Sequence, residues 1–195
     1  MLLTAAGALS APPSTVLKGP LGKLEWKVKT TESGLVIDGT SPKWTVHHEA
    51  KADFTPILTK RSNPEGRKVE IRYDAKGADF TVNGEKSRIK QKGLWDSESV
   101  DIRLGAITAA GQTEVEFPAI DTDSGKVYTF GAEVKEKTSC QGVPCTHVEL
   151  HLTGFYKLVG PSWDYWFDAE GKLLRFEAKW GKFKAAPAAK KEEAE

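Results

Sequence analysis

The chain has 195 residues, 28 of them basic and 27 acidic, for a net charge of +1. That length supplies one hydrophobic core with trimmed ends. A charge so balanced sets up no field to gather phosphates, which excludes nucleic acid as an expected partner. No apolar run reaches the ~20 residues of a membrane-spanning helix, so a spanning protein is not expected either.

Residues 1–20 begin with a short apolar run, Met1 to Ala11, rich in small side chains. Ala6 to Ala8 and Ala8 to Ser10 both fit the small-x-small pattern of signal-peptidase sites, although a basic leading region is missing. The segment is expected to be signal-like or disordered. Residues 21–183 read as one β-rich domain. Residues 184–195 are charged, low in complexity and without an aromatic residue. They cannot bury enough surface to offset their ordering entropy and are expected to form a disordered tail.

Period-two alternation runs through the middle of the chain. Leu24, Trp26 and Val28 alternate with Lys23, Glu25 and Lys27, and Val69, Ile71 and Tyr73 with Lys68, Glu70 and Arg72. Tyr128 to Val134, Val148 to Leu152 and Leu174 to Trp180 repeat the pattern. Each segment predicts a strand with one face in a core and one in water. Turn residues separate them, as at Asn83 and Gly84 or Asp168 to Gly171, and such short links force antiparallel pairing. Between Asp96 and Ile107, Val100, Leu104 and Ile107 fall at helical spacing, with Asp96 or Ser97 as the expected N-cap. A sheet of eight or more strands must curl to bury its apolar face. The expected fold class is mainly β: a curved antiparallel meander forming a half-barrel or incomplete barrel, with one short helix.

Cys140 and Cys145 are the only cysteines, and Gly142 and Pro144 between them favour a turn. The pair is expected to form a local disulfide, and a disulfide points to an oxidising compartment. His147, Glu149 and His151 follow, so a metal site must be weighed. On a strand rising ~3.3 Å per residue, Cys145 and His151 stand ~20 Å apart and His147 and His151 ~13 Å apart. One tetrahedral ion cannot span these distances. His147, Glu149 and His151 therefore stay weak metal candidates, and no cofactor is expected.

Trp163, Tyr165 and Phe167 point one way along a strand, and Asp164 and Trp166 the other. With Phe130, the residues Trp163, Tyr165 and Trp166 are the candidate wall of a binding site; a packed core is the competing reading. Asp121 to Gly125 reads as a hairpin turn. His47 and His48 face opposite sides of one strand.

The order of segments from Lys68 to Phe183 carries a resemblance. Val69 to Asp74 and Phe80 to Gly84 form a strand-turn-strand unit, and an acidic stretch follows from Asp96 to Leu104. Phe117 to Ile120, Lys126 to Phe130 and Val148 to His151 come next, and Tyr165 to Asp168 with Leu173 to Glu177 close the series. This order resembles the exported bacterial family called domain of unknown function 3108. The resemblance implies a curved antiparallel sheet, a periplasmic or secreted location, and no catalytic residues to carry over. Three functions stand as expectations. The first is a non-enzymatic envelope protein holding a lipid or other apolar or amphipathic ligand on a concave sheet face. The second is a structural or protein-interaction module of the envelope with a filled core. The third is a metal-dependent enzyme built on His147, Glu149 and His151.

Overall fold

The computed structural model describes residues 14–19, 22–155, 157 and 160–180. Residues 1–13 of the signal-like segment and the tail at 184–195 lie outside them. The first sheet is a meander of eight strands in sequence order, each antiparallel to the next. Its strands are β1 (Thr15–Gly19), β2 (Gly22–Thr31), β3 (Gly34–Ser41), β4 (Trp44–Ala50), β5 (Pro56–Ser62), β6 (Lys68–Asp74), β7 (Gly77–Val82) and β8 (Glu85–Ile89). The sheet thus starts inside the segment expected to precede the domain, since Thr15 to Gly19 pair with Trp26 to Gly22. Turn chemistry sets the hairpins. Asn83 and Gly84 both hold positive φ, 49° and 93°, the pairing a two-residue turn needs to match strand twist.

The chain then crosses to a second sheet. Its strands are β9 (Trp95–Asp96), β10 (Glu114–Ile120), β11 (Val127–Cys140), β12 (Val143–Leu152), β13 (Pro161–Phe167) and β14 (Leu173–Trp180). They are ordered β14-β13-β12-β11-β10-β9. Among the described residues only β9 and β10 pair in parallel, because helix α1 (Val100–Ala109) lies between them in sequence. The expected mainly β, half-barrel architecture is what the structure shows, divided over two curled sheets.

Helix α1 joins the two halves. Its Ile102 and Ala106 pack into the core of the first sheet, beside Trp26, Leu35, Ile37, Val46, Ala50 and Phe54. Its Val100, Leu104 and Ile107 pack into the core of the second, among Trp95, Phe117, Ala132, Val148, Leu150, Tyr165, Phe167 and Leu173. Two apolar stripes on one short helix explain why it folds despite weak local propensity: burial contributes roughly 1.5–3 kcal/mol for each large side chain. Gly105 sits where a methyl group would lie 2.1 Å from the Gly171 carbonyl oxygen, and a methyl at Gly171 would lie 2.4 Å from that of Gly105. The glycine that weakens the helix locally is what lets it touch the β13–β14 turn.

Two local expectations are corrected. The helix starts after Ser99, which makes no side-chain capping bond; Asp96 is instead turned inward as a buried acceptor, and neither it nor Ser97 occupies the cap position. On β14, a register shift at Trp166 and Phe167 sets Phe167 opposite Leu173. Leu173 is therefore buried in place of Leu174, while Phe176 keeps the inner face, opposite Tyr165 with its ring 5.0 Å away, and is 42% exposed at the sheet edge.

The β11–β12 hairpin turns at Gln141 and Gly142, with φ of 52° and 84°. Cys140 and Cys145 are bonded across it. Closing so short a loop contributes about 2 kcal/mol in the chain-entropy account. Reduction is expected to add two hydrogens to the mass and to lower the stability of the intact protein by about that amount. Mass spectrometry and urea unfolding with and without reductant check both. An unchanged mass would refute the bridge.

Candidate functional site

The cross-strand register of the first sheet sorts its side chains into rows. Gly39, Val46, Arg61 and Val69 stand opposite one another on β3 to β6 and face inward. On the other face, one row runs Asp38, His47, Lys60, Glu70 and Thr81. A second row, two residues further along each strand, holds Thr40, Thr45, Ser62 and Lys68, continued by Asn83, whose side chain accepts from the Lys68 amide. Rows two residues apart are ~7 Å apart along the strand. Between them lies a trough of about 600 Å³, lined by both rows and by Gly39, Val46, Arg61 and Val69. Because the side chains of Val46, Arg61 and Val69 point into the protein, the floor of the trough is the main chain of these residues and of Gly39. A twisted sheet is saddle-shaped, so its outer face is concave along one diagonal.

The charges along the trough are unevenly matched. His47 Nδ1 bonds Asp38 at 2.8 Å and its Nε2 bonds Glu49 at 3.1 Å. The bond to Asp38, helped by Glu49 and opposed by partial burial, raises the His47 pKa above its ordinary value. Arg72 donates to Glu70 at 2.7 Å. Thr45 and Ser62 share a hydroxyl hydrogen bond of 2.8 Å. Lys60 and Lys68 are exposed, and among the described residues neither pairs with a carboxylate.

A second polar cluster lies inside, where the chain crosses between sheets. His48 Nδ1 is 2.6 Å from Asp96 Oδ2, and the Thr59 hydroxyl donates to the same oxygen at 2.5 Å. The Glu98 amide donates to Asp96 Oδ1 at 2.7 Å. Burial alone would raise the Asp96 pKa, but His48, Thr59 and the Glu98 amide together hold it below its ordinary value. Close by, Arg61 Nε lies 3.3 Å from Glu98, and Arg103 stacks over Trp95 at 3.1 Å. Burial lowers the Arg103 pKa to about 9. His48, Trp95, Asp96, Ser99 and Arg103 help line a niche of about 10 Å³, room for one water and no more. The cluster is a latch between the sheets.

The candidates on the second sheet divide between its faces. Tyr165 is buried in the core, with Phe130 and Trp163 packed against it; Phe130 and Trp163 rings stand 5.8 Å apart. Trp166 lies on the opposite face, stacked on His147 at 4.7 Å with the Arg175 guanidinium 4.5 Å from its ring. The four aromatic candidates therefore do not form one wall. His147 Nε2 pairs with Asp164 at 2.6 Å, and Lys179 holds the second oxygen at 2.6 Å. Glu149 lies 3.5 Å from Lys135, and His151 Nε2 3.8 Å from Glu133. His147, Glu149 and His151 share a strand face but each has turned to a different partner. Among the described residues no three His, Cys, Asp or Glu side chains gather as a metal site would require.

The trough left no trace in the sequence that a single-strand pattern reveals. Its rows are assembled from five strands, and each contributes only an ordinary alternating polar residue. The latch left one trace: His48 falls on the apolar side of its strand, beside Val46.

No protein-family model matches the chain, and no curated protein is similar to it. Its structure is similar to that of a β-barrel-like protein of domain of unknown function DUF1849 from Brucella abortus, with a TM-score of 0.57 and 9% identity over 82% of each chain. A DUF1089 family protein from Pseudomonas aeruginosa aligns with a TM-score of 0.45 and 11% identity, over 91% of this chain and 96% of that one. The first likeness supports the β-barrel-like fold.

Proposed function

We propose that this protein is an exported, non-enzymatic interaction module of the cell envelope, and that it holds an extended polar segment of a partner in the outer trough of β3 to β7. One observation carries the reading. The space between the sheets, where an apolar ligand would sit, is occupied by α1, whereas the 600 Å³ trough opens to water on the other face. That arrangement favours the filled-core interaction module over the lipid carrier. The buried latch argues in the same direction: His48 and Asp96 resemble a catalytic pair, but a niche of about 10 Å³ beside them admits no substrate. Export rests on the Cys140–Cys145 bond, which persists in an oxidising compartment, and on the resemblance to exported β-rich proteins.

The test is amide chemical-shift mapping of the intact protein with two probes, a mixed library of decapeptides and a long-chain fatty acid. The expected result is peptide-induced shifts confined to residues 38–40, 45–47, 60–62 and 68–70. Fatty-acid shifts at α1, Phe130, Trp163 and Tyr165, with none in the trough, would replace this reading by the carrier.

A further inference from the structure

We propose that the segment held in the trough is an acidic peptide, with carboxylates at alternate positions of an extended chain. This rests on the trough being the binding site. The trough's own carboxylates are already engaged, Asp38 by His47 and Glu70 by Arg72. Its lysines are not: among the described residues Lys60 and Lys68 have no acidic partner. An incoming base would find no free carboxylate, while an incoming acid would find two free ammonium groups. Opposite charge across an interface also sets register and excludes wrong partners.

Spacing points to an extended chain. Lys60 stands opposite Glu70, and Lys68 is two residues from Glu70 on the same strand. The two lysines are therefore diagonal neighbours, ~7–8 Å apart at their backbones and on opposite walls of the trough. Residues two apart on an extended peptide are ~7 Å apart. One acidic side chain can reach Lys60 while the next but one reaches Lys68. Across β3 to β7 the trough is four strand spacings long, ~19 Å, which holds about six extended residues. Hydroxyls of Thr40, Thr45, Ser62 and Thr81 and the Asn83 amide line the rest and suit peptide main chain. Among the described residues the lining contains no Phe, Tyr or Trp ring, and its one imidazole, His47, is held by Asp38 and Glu49, so it offers neither a broad stacking platform for bases nor a flat apolar surface for sugar rings.

The experiment is calorimetric titration of the intact protein, and of the Lys60→Glu/Lys68→Glu double variant, with four probes. These are a (Glu-Ser)5 peptide, a (Lys-Ser)5 peptide, a (Gly-Ser)5 peptide and polygalacturonate. Both positions are exposed, so the variant should fold; the like charge set opposite Glu70 lowers its midpoint only slightly, and a thermal melt checks that it is folded at the titration temperature. The expected result is saturable binding of the acidic peptide alone. It should weaken at least tenfold in the variant and weaken with added salt, and the variant should acquire affinity for the basic peptide. Equal binding of the neutral or basic peptide in the trough would overturn the acidic assignment and leave the trough as a binding site. Binding of polygalacturonate without the acidic peptide would overturn the peptide. Absence of saturable binding by every probe would remove both this inference and the proposed function.

Discussion

Replacing Asp96 by alanine is expected to cost about 3–5 kcal/mol, the range for removing one partner from a buried charged pair. Asp96 is wholly enclosed and accepts from His48, Thr59 and the Glu98 amide. Its loss takes the acceptor from all of these and from the Ser99 hydroxyl; His48 and Thr59 retain each other at 2.9 Å, and each buried group left unsatisfied costs about 1–3 kcal/mol in its own right. Asp96→Asn keeps the shape and one acceptor oxygen, so a smaller loss is expected. Urea unfolding of both variants measures the difference. Hydrogen exchange should show α1 and β9 opening first, since the latch ties them to β4 and β5. A change below 1 kcal/mol in Asp96→Ala would mean the cluster carries no linkage. The pH sign is fixed by the depressed Asp96 pKa: the stabilisation is present above the ordinary carboxylate range and is lost as pH falls through the lowered folded value.

The second large effect has the opposite sign. Asp101, on α1, is buried with its carboxyl against its own helix; the Ile102 amide donates to it at 2.9 Å. Burial pushes its pKa up to about 7, and the Ile102 amide only partly opposes this. The folded state therefore holds a proton that the unfolded chain releases near pH 4. Stability falls as pH rises between those values, by ~1.4 kcal/mol per unit and about 4 kcal/mol at most. Asp101→Asn removes the proton requirement. It is expected to unfold at a higher temperature than the wild type at pH 8, by as much as ~10 °C for a chain of this size. The advantage should shrink to nothing near pH 4. Thermal melts of both proteins at pH 4, 6 and 8 decide it; a gain independent of pH would show that Asp101 does not titrate in the fold.

These two aspartates mark the limit of what the sequence discloses. Strands were legible because a period of two is written into each segment by itself: Val69, Ile71 and Tyr73 need no partner to be read. The Cys140–Cys145 bond was legible for the same reason, being closed within one hairpin. Helix α1 showed through Val100, Leu104 and Ile107, although its second stripe, Ile102 and Ala106, makes sense only once another sheet lies above it. Asp96 reads locally as a helix cap, and only the crossover between sheets brings it to Thr59, 37 residues away. The trough is further removed, since His47, Lys60 and Lys68 become neighbours through the register of three strands. The aromatic cluster was half legible. Alternation placed Trp166 on the face opposite Trp163 and Tyr165, but it did not say which face was the core, nor that Trp166 would stack on His147 and meet Arg175.

The meander has a consequence for how the molecule is built. Among the described residues every hydrogen-bonded pair of strands joins neighbours in sequence, and all but the parallel pair β9–β10 are antiparallel, so each sheet can zip up by successive short loop closures, the route with the least entropy to overcome. During that assembly the first sheet has a free edge at β8. That edge reads Glu85, Lys86, Ser87, Arg88 and Ile89, and all but the last are exposed. Charge along an unpaired strand discourages a second chain from adding to it. The half-finished barrel is thus shielded from stacking on its own copies while the other half is still being made.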